Sequence, residues 1–287
     1  MTTPPHRLAP PHRLAQAPSA PPGEAPDADP HTDAELPTVG RVVEGRRKVR
    51  MADVGADRRA RLDALARYLH DVAEDDAASA TLPPTIGWVL RSTRMEISTF
   101  PVLGEDLVLR TYCSATASRW AERTTIAHGS QGAQLSAVSI WVAVDIQSGA
   151  PARLDDRFFA VYGPSAGGRR ASARLVLGEP EGRPLDRARP WPLRRSDVDA
   201  WGHVNNAVAW AAVEDVVDIG RANAAVALME HRVPIDLGIE PLLAAAHEGD
   251  RWSVWLLDRS GAGREAGRVL VAATVRMLPA GVSSSHR

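Results

Sequence analysis

Hydrophobic and polar residues alternate with two different periods along this chain, and the periods divide it into predicted helices and strands. From Leu62 to Val72 apolar residues recur at helical spacing, which predicts a helix over about residues 57–75. From Leu135 to Ile146 large apolar residues alternate with small or polar ones, which predicts a strand. Further strands are predicted in this half at residues 41–50, 88–97 and 106–114.

The same order of elements recurs in the second half of the chain. A stretch rich in Gly, Pro and Arg at residues 163–189 predicts a connector, with one candidate strand at residues 171–177. After it, the pattern predicts a short strand at residues 192–195, a helix at about residues 206–222, and strands at residues 226–235, 251–258 and 268–278. A strand, a helix and several antiparallel strands thus occur twice, which predicts two copies of one α+β unit. Such a tandem pair would mimic a dimer.

The first 38 residues differ in composition from the rest. They hold ten of the 22 prolines, and the string PPHRLA occurs twice in tandem. A segment this polar and proline-rich has little to bury, so we expect a disordered tail.

Overall composition excludes several classes of function. The net charge is −1 and gives no indication of a nucleic-acid or avid membrane binder. The single cysteine, Cys113, cannot form an intramolecular disulfide, and no apolar run is long enough to span a bilayer. Its strand-like surroundings contain no evident base, so a nucleophilic role is disfavoured. We expect a cytoplasmic protein without a metal or other cofactor.

The segment from Arg194 to Asn206, RRSDVDAWGHVNN, carries the densest group of chemically active side chains. Two carboxylates, an imidazole and two amides surround Gly202 just before the predicted second-half helix. The start of a helix presents unpaired main-chain N–H groups that suit an anion. Asp199 and His203 are therefore the candidate catalytic pair.

Four stretches together resemble the acyl-acyl carrier protein (acyl-ACP) thioesterases, which consist of two fused hotdog domains. They are GADRRARLDALARYLHDVAEDD, WVLRSTRMEI, TYCSATASRWAERTT with SIWVAVDIQSGAPARL, and RRSDVDAWGHVNN. The resemblance implies an α+β fold of two tandem hotdog domains, each a long central helix wrapped by an antiparallel sheet, forming a pseudo-dimer. The implied organisation is a tail at residues 1–38, an N-terminal hotdog domain at 39–164 on the acyl-pocket side, a connector at 165–189 and a C-terminal hotdog domain at 190–280 that carries the catalytic motif.

The resemblance is incomplete at individual site positions. Plant members of the family place Asp, Asn and His at alternate positions of the signature, where this chain has Asp199, Trp201 and His203. A further family acid would fall near Pro234 and a neighbouring cysteine near Ile235. The DAWGHVNN form is similar to that of single-domain hotdog enzymes, in which the Asp equivalent to Asp199 is the essential carboxylate.

Hydrolysis of a thioester requires an attacking group and a site for the oxyanion. Asp199 could act as a general base or as a nucleophile, and His203 could orient it or move its proton. The alternative for Asp199 is a helix cap, and for His203 a structural hydrogen bond. The candidate substrate-binding residues, including main-chain N–H groups for an oxyanion hole, are Trp201, Gly202, Val204, Asn205 and Asn206.

The implied substrate is a fatty acyl chain on the phosphopantetheine of acyl carrier protein, or an acyl-CoA, and a homodimer is a further expectation. Because acyl carrier protein is acidic, basic clusters are candidates for docking it. They are Arg46, Arg47, Lys48 and Arg50; Arg58, Arg59 and Arg61; and Arg169 with Arg170. Two other functions stay open: a non-catalytic acyl-thioester binding protein with a degenerate site, and a hotdog dehydratase or hydratase.

Overall fold

Strands pair side by side into a ten-stranded antiparallel sheet in the computed structural model, which describes residues 35–80, 82, 85–219, 222, 224–259 and 267–278. The strands are β1 (Val43–Lys48), β2 (Ile86–Thr99), β3 (Asp106–Thr116), β4 (Trp120–Gly129), β5 (Gln134–Asp145), β6 (Arg189–Pro190), β7 (Ala224–His231), β8 (Pro241–Glu248), β9 (Arg251–Asp258) and β10 (Arg268–Leu278). The α-helices are α1 (Leu62–Ser79), α2 (Asp156–Ala166), α3 (Arg183–Asp186) and α4 (Val208–Glu214). Single-turn 3₁₀ helices lie at Met51–Asp53 and Arg195–Asp197.

The strand order is β1-β3-β4-β5-β2-β7-β10-β9-β8-β6. Pairing of β2 with β7 joins the two halves of the chain, with Thr93 opposite Met229. Outward from this pair, each half contributes its strands in an equivalent order, ending in β1 on one edge and β6 on the other. The sheet is therefore continuous across both halves.

The main hydrophobic core lies between one face of the sheet and the two helices α1 and α4, which pack against each other. Leu65 of α1, Trp210 of α4 and Met229 of β7 are almost fully buried in it. Deleting apolar volume from such a close-packed site costs about 2–5 kcal/mol. Because β2 and β7 run beneath both helices, any group at the inner face of these strands faces the helices rather than solvent.

The elements with the strongest periodicity were predicted well. Strands β9 and β10 have the predicted bounds, and β2, β3 and β5 differ from prediction by at most two residues at each end. The sheet and its few helices agree with the expected hotdog-type fold. The tail predicted at residues 1–38 lies almost entirely outside the described residues.

Several predicted elements were wrong or missing. β4, β8 and α2 were not predicted, and the short second-half strand lies at 189–190 instead of 192–195. The predicted strand at residues 171–177 does not form. There the main chain instead crosses the sheet, and the N–H of Leu177 donates to the buried side chain of Glu230 at 3.1 Å. This connection carries the chain from the first half to the second.

The second-half helix is shorter than predicted. α4 ends at Glu214 instead of about residue 222. Val216 and Val217 are β-branched and so lower helix propensity beyond that point. The side chain of Asp215 also accepts a hydrogen bond from the indole of Trp191 at 2.7 Å, which fixes the turn that ends the helix.

Candidate active site

The signature segment folds into a tight turn, here called the second-half loop (residues 194–205). Val198 and Val204 form an antiparallel bridge, and the N–H of Asp199 donates to the carbonyl of His203 at 2.8 Å. Gly202 adopts φ = 86°, a left-handed conformation that glycine adopts readily. The loop therefore closes on itself at the residue pair predicted to be catalytic.

Asp199 is half-buried, and its carboxylate is held by the loop's own main chain. Oδ1 accepts hydrogen bonds from the N–H of Trp201 at 2.9 Å and from the N–H of His203 at 3.4 Å. This is the side-chain-to-backbone geometry of an Asx turn. Asp199 lies well before α4 and does not cap it. Both hydrogen bonds recorded for this carboxylate in the described chain are made by Oδ1.

The imidazole of His203 does not contact the carboxylate of Asp199. Its Nε2 lies 3.6 Å from Oδ1 of Asp236, which follows β7. The connection between His203 and Asp199 runs instead through main-chain hydrogen bonds. The two residues of the candidate catalytic pair therefore share one loop, but their side chains have different partners.

The other signature residues are placed as follows. Trp201 is 59% exposed, with its ring edge near Gly87. The N–H groups of Gly202 and Val204 donate to the carbonyls of Asp199 and Ile235. Both were expected to be open to an oxyanion, but these hydrogen bonds occupy them.

The two asparagines of the signature differ in what they bond. Asn205 holds the turn, since its Oδ1 accepts from the N–H of Ala207 at 2.8 Å. Asn206 is half-buried next to it. Asn205 therefore has the turn-forming role that its residue type favours.

An equivalent turn, here called the first-half loop (residues 50–61), precedes α1. Val54 and Ala60 form the bridge, and the N–H of Gly55 donates to the carbonyl of Arg59 at 3.0 Å. Arg58 takes the left-handed conformation, with φ = 66°. Every counterpart lies 144 positions earlier in the chain: Gly55 for Asp199, Arg58 for Gly202 and Arg59 for His203.

The equivalence of the loops was missed from sequence. Its sequence signal is the pattern Arg-x-x-Asp-Val-x-Ala, which begins at Arg50 and again at Arg194 and contains Asp53 and Asp197. Both aspartates accept a hydrogen bond from the main-chain N–H three residues earlier, at 2.8 Å and 2.7 Å respectively. Asp197 is thus structural in the same way as Asp53.

The first-half loop is closed by a side chain from the second half. Glu214 of α4 accepts from the N–H of Leu62 at 2.7 Å, and its other oxygen lies 3.3 Å from the guanidinium of Arg59. Arg59 is 8% exposed and also covers the ring of Phe100 at 4.2 Å. Burial raises the pKa of Glu214, while the charge of Arg59 lowers it. This ion pair links α4 to the first-half loop.

The counterpart of Glu214 in the first half is His70 of α1, to which no role was assigned from the sequence. Burial lowers the pKa of His70 to about 4, and the nearby charges of Asp71 and Asp199 oppose this shift. Asp199 is thus within electrostatic range of His70. Glu214 is paired with Arg59. Within the described residues, by contrast, no acid of the second-half loop forms an ion pair with an arginine.

Cys113 is buried, and burial raises the pKa of its thiol to about 12, so a thiolate nucleophile is disfavoured. In the part of the chain that the structure describes, no cluster of side chains has the makings of a metal site. Within those same residues, no helix combines the length and apolar character needed to cross a membrane.

The predicted basic clusters are largely paired within the protein. Arg47 bonds to Asp71 and Asp75, and Lys48 bonds to Asp106. Arg61 bonds to Asp63, Arg59 is closed into the first-half loop, and the guanidinium of Arg169 donates to two main-chain carbonyls. Arg46, Arg47, Lys48 and Arg50 nonetheless line a groove of about 360 Å³ beside β1 and β3. This cluster lines a groove, and Arg58 and Arg170 of the other two clusters are exposed as well.

Known proteins resemble the chain in sequence and in fold. Residues 40–162 match the family model of the acyl-ACP thioesterase N-terminal domain. An uncharacterized protein of Mycobacterium tuberculosis is 29% identical over 220 residues, covering 75% of this chain and 86% of that protein.

Two solved structures cover most of the chain. A protein from Lactobacillus plantarum, provisionally assigned as an oleoyl thioesterase, superposes with a TM-score of 0.66 at 18% identity, covering 84% of this chain and 98% of that chain. The 12:0-ACP thioesterase from Umbellularia californica superposes with a TM-score of 0.66 at 17% identity, covering 83% and 97%. At these identities the structures establish the fold. The family match confirms the predicted resemblance to the acyl-ACP thioesterases, and with it the expectation of a thiolester hydrolase.

Proposed function

We propose that the protein hydrolyses fatty acyl-ACP to a free fatty acid at the second-half loop, as part of fatty acid biosynthesis. The observation that carries this proposal is the position of Asp199: a half-exposed carboxylate, held by loop amides, on the loop that bears the family signature. We further propose that the two halves are tandem hotdog domains forming a pseudo-dimer. The equivalent strand order and the equivalent loops support that assignment.

In this proposal Asp199 supplies the attacking group. As a general base it accepts a proton from water while the water oxygen attacks the thioester carbonyl carbon. The C–S bond then breaks, and the thiolate of phosphopantetheine leaves and takes up a proton. As a nucleophile, Asp199 would attack the carbonyl carbon and displace the thiolate of phosphopantetheine, which forms a mixed anhydride. Water would then hydrolyse the anhydride to the fatty acid and the free carboxylate of Asp199. His203, through its contact with Asp236, would assist by exchanging a proton with solvent.

The main-chain N–H of Asn206 is the candidate oxyanion donor. Its first-half counterpart is the N–H of Leu62, which donates to a carboxylate oxygen of Glu214 at 2.7 Å. That contact supports the inference that an amide at this position can bind a negatively charged oxygen. One such donor contributes about 3–4 kcal/mol to transition-state stabilisation. Asn205 would keep this region of the loop in place, and Trp201 would cover one side of the substrate.

Acyl carrier protein is the proposed carrier, with acyl-CoA as the alternative. The groove lined by Arg46, Lys48 and Arg50 supports an acidic partner, although Asp106 lies at its side. We expect no nucleic acid, stable membrane insertion, metal or cofactor to be needed. A cytoplasmic location and a homodimer stay predictions.

One experiment separates this function from its rivals. Purified full-length protein is mixed with a panel of acyl-ACP and acyl-CoA thioesters, and free thiol is measured. Thiol release that is faster from acyl-ACP supports the proposal, and faster release from acyl-CoA overturns the assigned carrier. Binding without thiol release would indicate an acyl-thioester binding protein. Addition of water across an enoyl thioester would indicate a hydratase.

A further inference from the structure

Three ring side chains from three elements meet on the inner side of the sheet, close to the second-half loop. The imidazole of His70 and the indole of Trp141 make an edge-to-face contact with ring centroids 5.7 Å apart. His231, at the end of β7, follows Glu230, which pairs with Ser92 of β2. Trp141 pairs with Leu90 of the same strand, so Trp141 and His231 lie on either side of β2 at nearly the same level. Trp141 lies on β5 and His231 on β7, the two strands that flank β2. These three residues are here called the ring cluster.

Exposure changes from one side of the ring cluster to the other. His70 and Trp141 are partly exposed, whereas His231 is 8% exposed. The side of the ring cluster formed by α1 and β5 is therefore partly exposed, and the side formed by β7 is buried. His70 is the counterpart of Glu214, whose carboxylate accepts a hydrogen bond from the main chain at the end of the first-half loop. By this equivalence, the side of the ring cluster that contains His70 faces the second-half loop.

Two polar atoms of the ring cluster are buried without a hydrogen-bond partner in the described residues. They are the indole Nε1 of Trp141 and the Nε2 of His231. An indole N–H is only a donor, and a neutral imidazole has one donor and one acceptor nitrogen. Leaving a buried donor unpaired costs about 1–3 kcal/mol, so such groups in native proteins call for a partner. Here the partner must be able to accept a hydrogen bond.

The ring cluster also stays uncharged at neutral pH. Burial lowers the pKa of His231 to about 3 and that of His70 to about 4. Two neutral imidazoles and an indole favour a neutral oxygen over a carboxylate or phosphate. The adjacent inner face is polar as well, since the buried hydroxyls of Thr93 and Ser139 lie 3.1 Å apart on β2 and β5.

A purely hydrocarbon acyl chain would leave these groups unpaired. We propose that the ring cluster binds an oxygen on the acyl chain, so that the preferred substrates are acyl thioesters with a hydroxyl or oxo group near the thioester, as in 3-hydroxyacyl and 3-oxoacyl chains. Trp141 donates to this oxygen, and His231 donates to it or accepts from its hydroxyl. The inference rests on the proposed thioesterase function and names the class of substrate for that site.

The test compares matched substrates on the full-length protein. Decanoyl, 3-hydroxydecanoyl and 3-oxodecanoyl thioesters of the same carrier are assayed for kcat/KM by thiol release. For the wild type we expect at least a tenfold higher kcat/KM for one of the oxygenated chains than for decanoyl. In Trp141→Phe and in His231→Phe, which keep a ring of related size but remove the N–H groups, this ratio falls to near one.

Trp252→Phe is the matched control, because Trp252 lies on β9 and stacks on His247, outside the ring cluster. Its substrate ratio should equal that of the wild type. Thermal unfolding of each variant separates loss of selectivity from loss of fold, and Trp141→Phe provides the test if His231→Phe does not fold.

Three results would have different meanings. Hydrolysis of all three substrates without a preference overturns the ring-cluster proposal and leaves the thioesterase function intact. An equal loss of kcat/KM on all three in Trp141→Phe would assign the indole to the thioester carbonyl and also overturn the proposal. Absence of thiol release from every thioester in the wild type would overturn the proposed function itself.

Discussion

The first-half and second-half loops have the same main-chain hydrogen bonds but differ in the ionisable side chains at their equivalent positions. In the first-half loop the position equivalent to Asp199 is Gly55, and the helix side chain that reaches the loop, Glu214, is locked to Arg59. In the second-half loop the carboxylate is on the loop itself, and the side chain on the opposing helix is the neutral His70. One fold therefore contains two equivalent positions, of which one is closed by an ion pair and the other keeps a half-exposed acid.

Loop geometry alone does not make a site. Both loops contain the bridge, the left-handed residue and the aspartate that holds the 3₁₀ turn. Only the second-half loop also has the carboxylate of Asp199, which forms no ion pair with a cation in the described part of the chain. We therefore expect the two loops to respond differently to equivalent substitutions.

The largest expected effect is on activity. Asp199→Asn keeps an oxygen for the N–H groups of Trp201 and His203 but removes the base, so kcat/KM for acyl-ACP should fall by about 10²- to 10⁴-fold. Adding Gly55→Asp to this variant should not restore activity, because the Arg59–Glu214 pair occupies the first-half loop. Thiol release and thermal unfolding, measured together, check both expectations. Full activity in Asp199→Asn would remove the site assignment.

Breaking the first-half ion pair should affect stability instead. Arg59→Met leaves the buried carboxylate of Glu214 without its counter-charge, and we expect the free energy of unfolding to fall by about 3 kcal/mol. Chemical denaturation measures the change. Lys48→Met, which removes an exposed pair with Asp106, is the control and should cost under about 1 kcal/mol. Equal effects in the two variants would show that the first-half loop is not closed by this pair.

The ring cluster predicts how stability depends on pH. The pKa values of His70 and His231 in the folded state, about 4 and about 3, lie below the usual value of about 6.5. Between about pH 6.5 and 4 the unfolded chain thus binds protons that the folded chain does not, so the free energy of unfolding falls as the pH falls.

The affected groups face charges from several elements. Asp71, Arg67 and Asp199 act on His70, and Arg91 acts on His231. Denaturation curves from pH 7 to pH 5.5 should show a loss of about 2.5 kcal/mol in the wild type, about half of it from each histidine. The slope should be shallower in His70→Phe, in which other titrating groups such as Glu214 are unchanged. An unchanged slope would show that His70 does not titrate as described.

The smallest expected effect concerns the left-handed position of the first-half loop. Arg58 has φ = 66°, whereas its counterpart Gly202 has no Cβ to strain. Arg58→Gly relieves about 1 kcal/mol of strain and adds flexibility to the unfolded chain, so a net gain in stability of under about 1 kcal/mol is expected. Gly202→Ala should destabilise instead. A loss of stability in Arg58→Gly would show that its side chain is needed in that loop.

Much of the sheet could be predicted from sequence, because β5 alternates clearly, β9 and β10 are short apolar runs, and each is bounded by turn residues. β4 was missed because Glu122, Arg123 and the threonines that follow make it look polar. Their side chains are in fact satisfied inside the protein, as in the hydrogen bond from Arg123 to buried Asp76. Local patterns do not reveal such long-range partners.

The candidate site was predictable only in part. The signature and its family resemblance made Asp199 the candidate carboxylate, since that information is local in the sequence. His70 and His231 could not be identified in this way, because they lie more than 100 positions from Asp199 or on another strand, and only the pairing of β2 with β7 brings them together. His203 was correctly placed on the loop, but its partner Asp236 depends on how the chain leaves β7.

The most direct test of the proposed function is a crystal structure with a hydrolysis-resistant 2-oxoalkyl pantetheine thioether bound, in which a methylene group separates the carbonyl from the sulfur. We expect its carbonyl at the second-half loop, within hydrogen-bond distance of the N–H of Asn206 and next to the carboxylate of Asp199. A ligand bound at the first-half loop, or anywhere that leaves Asp199 out of contact with the carbonyl group, would contradict the account.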